Sequence, residues 1–386
     1  MPRRPDRLRD IVSIGVERMG DLADSARDGL LRLENLDVDI EPCAAALERT
    51  RAAASCDADN SYLPFLGQHR LRQAAAAHVA RAAGVDYSES NCIIAPGGLA
   101  GILNVLLATV EVGDEVIVTD PTYAGLLNRI RLAGGVPKFV PFEFVPQGPW
   151  RLDPAALRAA VGPRTRAMLL MSPSMPSGGL LSEGDWRLVC ELCVAHDLLL
   201  IVDAAMERLV YDAQPLIHPA GFAGMRERTV TVGSASKELR MIGWRVGWVV
   251  GPEPYMPDIA AVSIANCVAP VGLAQDAAAI ALADSYSSIG AYVHELQARR
   301  NLLLDELKGL PVGVPAGGWS MLLRVSDFGL SGVEMSRRLL AQGIAATAMD
   351  GWGESHGPQY IRFVYSNESQ ARLRGAGDKV KRALDC

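Results

Sequence analysis

The chain carries, at residues 234–251, the stretch SASKELRMIGWRVGWVVG. This stretch directly follows TVTVG at 229–233, whose β-branched residues predict a buried strand, and it ends in a second strand-sized run, VGWVVG at 246–251. Between the two runs lie Lys237, small hydroxyl residues and a G-x-R-x-G pattern that spans Gly243–Gly247. Polar, glycine-bearing turns at the ends of strands are where open parallel sheets bind their ligands. We therefore expect a binding site at this turn.

The polar residues of the turn suit a carbonyl cofactor that carries a phosphate. An amine such as that of Lys237 condenses with an aldehyde. The hydroxyl groups of Ser234 and Ser236 and the guanidinium fork of Arg245 can together hold a dianion. A lone lysine in a loop is ordinarily just a solvated residue, so the prediction depends on the complete pattern and not on Lys237 alone.

The remainder of the chain predicts an α/β fold. Further strand-sized runs, rich in branched residues, stand at 92–95, 115–120, 167–171 and 198–203. The segments between them, such as those that begin at Leu99 and Glu183, carry apolar residues at three- and four-residue spacing and predict covering helices. This alternation is typical of a mainly parallel sheet flanked by helices. After about residue 288 a long charged helix and two strand-like pieces predict a second, smaller α+β body.

Composition and charge limit the possible partners. The 386 residues are 49% hydrophobic and 21% charged, as in ordinary globular proteins. The net charge of -6 argues against a nucleic-acid partner, and no apolar run approaches the roughly 18 residues that a membrane span requires. The seven cysteines are odd in number and scattered, so we expect the reducing cytoplasm. Cys190 and Cys193 share a predicted helix whose buried face explains their spacing, and no metal site is expected.

The stretch at 234–251 closely resembles the lysine signature of class I and II aminotransferases, which are pyridoxal-phosphate (PLP) enzymes of fold type I. The resemblance extends over most of the chain. It implies a mainly parallel, seven-stranded-type sheet in a large domain at 49–287, and a small domain built from 1–48 and 288–386. It also implies a homodimer in which Lys237 holds PLP as a Schiff base and shuttles a proton. An amino group would then move between an L-amino acid and a 2-oxo acid by a ping-pong mechanism.

The resemblance assigns further positions around the cofactor. Asp203, at the end of the run 198–203, matches the aspartate that pairs with the pyridinium nitrogen and so supports the cofactor as an electron sink. Tyr123 matches the aromatic residue that stacks on the pyridine ring. Backbone N–H groups at a helix N-terminus would bind the phosphate, and the residues that match this turn are Gly98, Leu99 and Ala100.

Three more matches concern the neighbouring subunit and the substrate. Tyr62 would reach the phosphate of the neighbouring subunit, which is the basis of the expected homodimer. Arg362 matches the C-terminal arginine that grips the α-carboxylate of the substrate. Asn35 lies in LENL at 33–36, where relatives usually carry a glycine near the substrate, and it is a candidate substrate-binding residue.

Two departures from the family pattern affect the same cofactor atom. Met175 stands where the family has an asparagine, and Met206 where it has a tyrosine, that donate hydrogen bonds to the phenolic oxygen of the cofactor. A methionine side chain cannot donate. These departures leave a PLP lyase, racemase or cyclase as the alternative to a transaminase. A ligand-sensing protein without turnover is a third hypothesis, which the early start of the resemblance disfavours because a DNA-binding module would have no room.

Overall fold

The computed structural model describes residues 5–25 and 29–385. Its strands, numbered in chain order, are β1 (Leu31–Arg32), β2 (Cys92–Ala95), β3 (Glu115–Asp120), β4 (Val136–Glu143), β5 (Arg151–Leu152), β6 (Thr165–Met171), β7 (Leu199–Asp203), β8 (Thr229–Ser234), β9 (Gly247–Val250), β10 (Ser320–Arg324), β11 (Ile344–Ala345), β12 (Thr347–Ala348) and β13 (Tyr360–Val364). All six strand-sized runs predicted in the first part of the chain are strands, as are the two pieces expected after residue 288.

One large sheet has the strand order β2-β9-β8-β7-β6-β3-β4-β5. The strands β8, β7, β6, β3 and β4 are mutually parallel, β9 is antiparallel to both its neighbours, and the two-residue β5 pairs antiparallel with β4. The mainly parallel α/β sheet expected from the sequence is therefore confirmed. The pattern did not predict β4, VPKFVPFE, because prolines and a lysine interrupt its apolar run. On the side away from β3, β4 pairs only with the two-residue β5, and a strand with so few hydrogen bonds on one side tolerates proline.

Helices cover the sheet and build much of the remainder. They are α1 (Val16–Asp24), α2 (Ala44–Ala54), α3 (Asp57–Asn60), α4 (His69–Ala83), α5 (Gly98–Thr109), α6 (Ala124–Leu132), α7 (Pro154–Ala160), α8 (Glu183–Ala195), α9 (Met256–Cys267), α10 (Gly272–Glu306), α11 (Gly332–Ala341), α12 (Gln370–Leu373) and α13 (Ala376–Asp385). The helices predicted from Leu99 and Glu183 are α5 and α8. Cys190 and Cys193 lie buried on α8 as free thiols.

Both faces of the large sheet are covered. In β7, Leu199 and Ile201 pack in a hydrophobic cluster with α5, α6 and α9, whereas Leu200 and Val202 pack in the cluster that contains α8 and the C-terminal body. Burial on both faces explains why these strands are continuously apolar and do not alternate. Because β3, β6, β7 and β8 are parallel, their carboxyl ends meet at one edge, which we call the carboxyl edge.

The C-terminal body contains the antiparallel sheet β10-β13-β12 with α11 and α13, and the β1–β11 pair ties the N-terminal segment to it. Helix α10 has 35 residues; its first part packs beside α4, and its second part packs into the cluster of the C-terminal body. The domain boundary predicted at 287/288 lies inside this helix. Within the described residues, no helix is long and apolar enough to cross a membrane, and no cluster of three or more His, Cys, Asp or Glu could hold a metal ion.

Candidate active site

A cavity opens at the carboxyl edge of the large sheet. Its lining is formed by Leu36, Gly98, Leu99, Tyr123, Met171, Met175, Asp203, Ala205, Met206, Ser234, Ser236, Lys237, Ile242 and Arg245. All of these except Leu36, Met171, Ala205 and Ile242 are residues for which the sequence predicted a role. Residues from strand ends far apart in the chain are therefore brought together in one place.

One end of the cavity is an anion cradle. Helix α5 begins at Gly98, so the N–H groups of its first turn have no partner within the helix. The Nη1 atom of Arg245 lies 3.4 Å from the Ser236 hydroxyl oxygen, and the Ser234 hydroxyl oxygen accepts a hydrogen bond from the Ser236 N–H at 3.2 Å. At Gly97, where φ is +97°, a Cβ atom would collide with the Arg245 guanidinium. Backbone N–H groups, hydroxyls and a guanidinium that converge in this way suit a phosphate.

Lys237 follows the end of β8 and directs its amine into the cavity. Its Nζ atom donates to the backbone oxygen of Leu36 at 3.4 Å and lies 4.2 Å from the centre of the Trp319 ring. Burial lowers the pKa of Lys237 to about 7, and the positive charge of Arg362 acts in the same direction. At neutral pH a large share of the amine is therefore unprotonated, which is the form that attacks a carbonyl carbon.

Asp203 ends β7 at the floor of the cavity. Its carboxylate accepts a hydrogen bond from the N–H of Ala205 at 3.1 Å, and it forms no ion pair with any residue that the structure describes. The side chain is 6% exposed, and burial raises its pKa to about 6. A carboxylate buried without a cation is costly. A cationic ligand atom, such as a protonated ring nitrogen, would remove that cost.

Tyr123 and Trp352 form an aromatic wall beside the cavity. Their ring centroids are 5.1 Å apart, and Trp352, which lies between β12 and β13, is fully buried. The loop that carries Trp352 is held by Asp120, the last residue of β3, whose carboxylate accepts a hydrogen bond from the Ser355 N–H at 3.1 Å and lies 3.1 Å from His356 Nδ1. The C-terminal body is thereby fixed to the carboxyl edge of the large sheet.

Arg362, on β13, is fully buried and packs against Trp352. Its Cζ atom lies 4.6 Å from the centre of the Trp352 ring, and its Nη2 atom donates to the backbone oxygen of Glu34 at 3.3 Å. Its Nε and Nη1 atoms are buried without a partner among the described residues. Burial lowers the pKa of Arg362 to about 10. Unsatisfied donors on a buried charged group are costly, and a carboxylate ligand would satisfy them.

Two methionines make part of the cavity lining apolar. Met175 and Met206 are 4% and 2% exposed, and both belong to the lining. The hydroxyl oxygens of Ser172 and Ser177 accept hydrogen bonds from backbone N–H groups of their own loop, at 3.1 Å and 3.2 Å, and neither residue is part of the lining. Where the family pattern has two hydrogen-bond donors, this chain therefore presents two thioethers.

Four residues predicted for the site lie outside the lining. Arg362 is fully buried against Trp352, and Ala100 lies half-buried in the first turn of α5. Asn35 is half-buried, and its side-chain oxygen accepts a hydrogen bond from the N–H of Asp37 at 2.9 Å. Tyr62 is 84% exposed and lies on the surface.

Besides the four lining residues without a predicted role, three residues around the cavity were not predicted from the sequence: Asp120, Trp319 and Trp352. The only sequence signals were glycines beside the two tryptophans, in GGWS and DGWGE, and an aspartate at a strand end, all of which are common in turns. Their roles depend on how the C-terminal body packs against the carboxyl edge.

Comparison with known proteins gives a consistent result. The family described as aminotransferase class I and II matches residues 31–380. An aspartate/prephenate aminotransferase from Thermus thermophilus is 31% identical over 332 residues, which are 84% of this chain and 83% of the relative. Aromatic-amino-acid aminotransferase 2 from Thermococcus litoralis is 29% identical over 386 residues, 98% of this chain and 97% of the relative. The solved structure of N-succinyldiaminopimelate aminotransferase from Mycobacterium tuberculosis has a TM-score of 0.91 at 29% identity and covers 99% of this chain and all of its own.

Proposed function

The chain belongs to the class I and II aminotransferases, and from this premise we propose that it binds PLP through Lys237 and passes an amino group from an L-amino acid to a 2-oxo acid. Members of this family are PLP-dependent transferases. The observation that carries the residue assignments is the convergence of Lys237, Asp203 and the anion cradle in one cavity.

The chemistry of the cavity fits a phosphorylated pyridine aldehyde at three points. The cradle of Gly98, Ser234, Ser236 and Arg245 suits the phosphate, the amine of Lys237 suits the aldehyde, and the unpaired carboxylate of Asp203 suits a protonated ring nitrogen. Bound there, the cofactor would draw off the electron pair that is left at the substrate's Cα atom when its C–H bond breaks.

Lys237 would both attach the cofactor and carry a proton. Its pKa of about 7 is near neutral pH, where a group serves best as base and then as acid. Once its amine is free, the Nζ atom takes the proton from the substrate's Cα atom. The Trp319 ring, 4.2 Å away and fully buried, keeps water from that side of the amine.

Arg362 would bind the α-carboxylate of the amino acid. Its unsatisfied Nε and Nη1 donors and its burial supply a fixed positive charge for that carboxylate. The contact with Trp352, which Asp120 holds through the loop at Ser355, restrains the guanidinium. A carboxylate held in one orientation fixes the direction of the Cα–H bond that must break.

Two further assignments follow from the resemblance. Tyr62 and Phe65 are large side chains, 84% and 46% exposed, which supports the proposal that a second copy of the chain covers them and receives Tyr62 at its phosphate site. Sedimentation at working concentration should then show about twice the chain mass. The cysteines in the described residues are free thiols, which supports a cytoplasmic location.

A half-reaction tests the proposed function directly. Given an amino acid alone, the PLP-loaded enzyme should release a single equivalent of 2-oxo acid per site and stop until a second oxo acid is added. The variant Lys237→Ala should lose turnover and the absorbance band of the lysine-linked cofactor. Lys308→Ala, at an exposed position outside the cavity lining, is the matched control. Continued product release without an acceptor would instead indicate another PLP reaction, and an unchanged band in Lys237→Ala would contradict the lysine assignment.

A further inference from the structure

A buried ion pair links the two strand ends that carry Lys237 and Asp203. The carboxylate of Glu238 accepts a hydrogen bond from the backbone N–H of Arg208 at 2.7 Å and a second from its Nε atom at 2.6 Å. The side chains are 6% and 13% exposed, respectively. A carboxylate held by two N–H groups of the same residue, out of water, defines both the distance and the orientation of the two segments that it joins.

The position of this pair gives it a role at the site. Glu238 directly follows Lys237, and Arg208 lies in the turn that follows Asp203. The backbone ladder between β7 and β8 ends where these turns begin, with a last hydrogen bond from the Ala204 N–H to the backbone oxygen of Val232 at 2.9 Å. Beyond that bond, the Arg208–Glu238 pair is the polar contact that connects the two turns across the described residues.

The surroundings of the pair resist its displacement. The Cζ atom of Arg208 lies 5.5 Å from the centre of the Tyr286 ring, and the Tyr286 hydroxyl lies 2.8 Å from His78 Nδ1. The Nε2 atom of His78 lies 2.7 Å from the carboxylate of Glu207, the residue before Arg208. His78 and Glu207 are each 4% exposed and Tyr286 is 41% exposed, so two buried polar groups and one partly exposed phenol brace the turn.

The other ion pair of the lysine turn is less enclosed. Arg240 lies 2.8 Å from the carboxylate of Asp37, but these side chains are 26% and 46% exposed. Water screens such a pair and reduces its contribution. Of the two ion pairs, the one that Glu238 forms is therefore the stronger restraint on the lysine turn.

We propose that Glu238 and Arg208 are a positioning pair that sets the separation between the amine of Lys237 and the carboxylate of Asp203. The inference rests on the proposed function, in which these two groups address opposite ends of one rigid cofactor ring. A ring of fixed length can satisfy both only when their separation matches it. An error of about 1 Å in such a separation costs on the order of a hundredfold in rate.

The test compares Glu238→Gln and Glu238→Ala with the natural enzyme. We expect the dissociation constant for PLP to rise, and kcat for the amino-acid half-reaction to fall on the order of tenfold to a hundredfold, with the alanine variant affected more. KM for the amino acid should change little because Arg362 is untouched. The yield of PLP attached to Lys237 by borohydride reduction, measured by peptide mass spectrometry, should fall in parallel, and this readout needs no turnover. Should Glu238→Ala fail to fold, Glu238→Gln keeps the side-chain shape and carries the test.

The matched control is Glu115→Gln, the same substitution at a buried carboxylate of β3 that pairs with Lys138 and Arg164 at the other edge of the sheet. Both substitutions remove the charge of a buried carboxylate that pairs with cations, so both variants should lose stability, but only Glu238 variants should alter PLP affinity, kcat and trapping. Glu238 variants that match Glu115→Gln in these quantities, or that change only KM for the amino acid, overturn the proposal. Absence of borohydride trapping at Lys237 in the natural enzyme would instead overturn the proposed function itself.

Discussion

Glu115 and Asp203 are buried carboxylates at opposite ends of the strands of one sheet, and they differ in whether a cation lies beside them. Glu115, at the start of β3, lies 2.8 Å from the Lys138 amine and 2.9 Å from the Arg164 guanidinium, and the hydrogen bond from Lys138 holds its pKa below the ordinary value. Asp203, at the end of β7, has no cationic partner in an ion pair among the described residues, and burial raises its pKa to about 6.

The difference separates charges that stabilise the fold from charges that await a ligand. At the edge where the parallel strands begin, the buried carboxylate of Glu115 is paired with Lys138 and Arg164. At the carboxyl edge, as far as the described residues go, Asp203 has no cation, Lys237 has a single long hydrogen bond, and Arg362 has two unsatisfied donors. Perturbed and unpaired charges that gather in a cavity mark functional sites, whereas a paired charge at a sheet end is structural.

The largest expected effect comes from neutralising each carboxylate in turn. Asp203→Asn should lower kcat/KM on the order of a hundredfold or more, because an electrostatic partner of the cofactor is lost. Glu115→Gln should retain most of its activity but lower the free energy of unfolding by about 1 kcal/mol or less, because its two cations are partly exposed and water already screens them. Steady-state kinetics and denaturant titration measure the two quantities. Comparable kinetic losses in both variants would abolish the distinction between the edges.

Arg362 extends the comparison to the substrate. Arg362→Ala should lower kcat/KM for amino acids by about 10- to 100-fold, the range for a lost charged hydrogen bond. For amines that lack an α-carboxylate, the loss should be much smaller. If both substrate classes lose the same factor, the unsatisfied donors of Arg362 do not bind that carboxylate.

In the cofactor-free protein, Asp203 and Glu115 should change the free energy of unfolding with pH in opposite directions. The folded-state pKa of Asp203 is raised to about 6, so the folded state binds more protons than the unfolded state between the ordinary value of 3.8 and about 6, and stability falls as pH rises through that window. The folded-state pKa of Glu115 is lowered, so its contribution is present at neutral pH and is lost as the solution is acidified through that pKa.

Asp203→Asn should therefore stabilise the cofactor-free protein near neutral pH by on the order of 1–3 kcal/mol, while the asparagine oxygen still accepts from Ala205. Denaturant titrations at several pH values measure this effect. An unchanged slope between pH 4 and about 6 in the variant would show that Asp203 is not the group responsible.

The smallest expected effect concerns the two methionines of the cavity lining. Without donors from Met175 and Met206, the phenolate of a bound cofactor loses stabilisation, so the nitrogen of Lys237 attached to it should keep its proton to higher pH. A visible absorbance titration should give a higher pKa for the natural enzyme than for the Met175→Asn/Met206→Tyr variant, provided that both bind PLP. Equal pKa values would mean that another group already donates to this oxygen.

The sequence predicts a site residue when that residue's own strand places it, and fails when packing between distant parts of the chain places it. Asp203 is the last residue of one apolar strand run and Lys237 lies three residues after the end of another strand, so the local pattern was enough to place them at the carboxyl edge. Trp319 and Trp352 reach the cavity only because β10, β12 and β13 pack against that edge. Periodicity in the sequence does not reveal a contact between such distant elements. Glu238 was visible beside Lys237, but its partner Arg208 lies 30 residues away on another strand end.

The strands and helices, too, were predictable where their own residues reveal them. Continuous branched runs predicted the buried strands, because strands covered on both faces have no polar face to show. The nearly free outer side of β4 permits Pro137 and Pro141, which conceal the strand in the sequence. The long helix α10 was predicted only in its charged second part. Its alanine-rich first part packs in a different hydrophobic cluster, the one that contains α4.

Helix α10 also has a mechanical consequence. At 35 residues it is a rod of about 52 Å, clamped to the large sheet's helices at one end and to the C-terminal body at the other. We expect the segment Ser287–Gly290 to bend readily, because the Ser287 and Ser288 hydroxyls donate to the backbone oxygen of Asp284 and Gly290 lacks a side chain. A movement of one body against the other would have to bend this helix, so the stiffness of α10 opposes any opening of the cleft between the bodies.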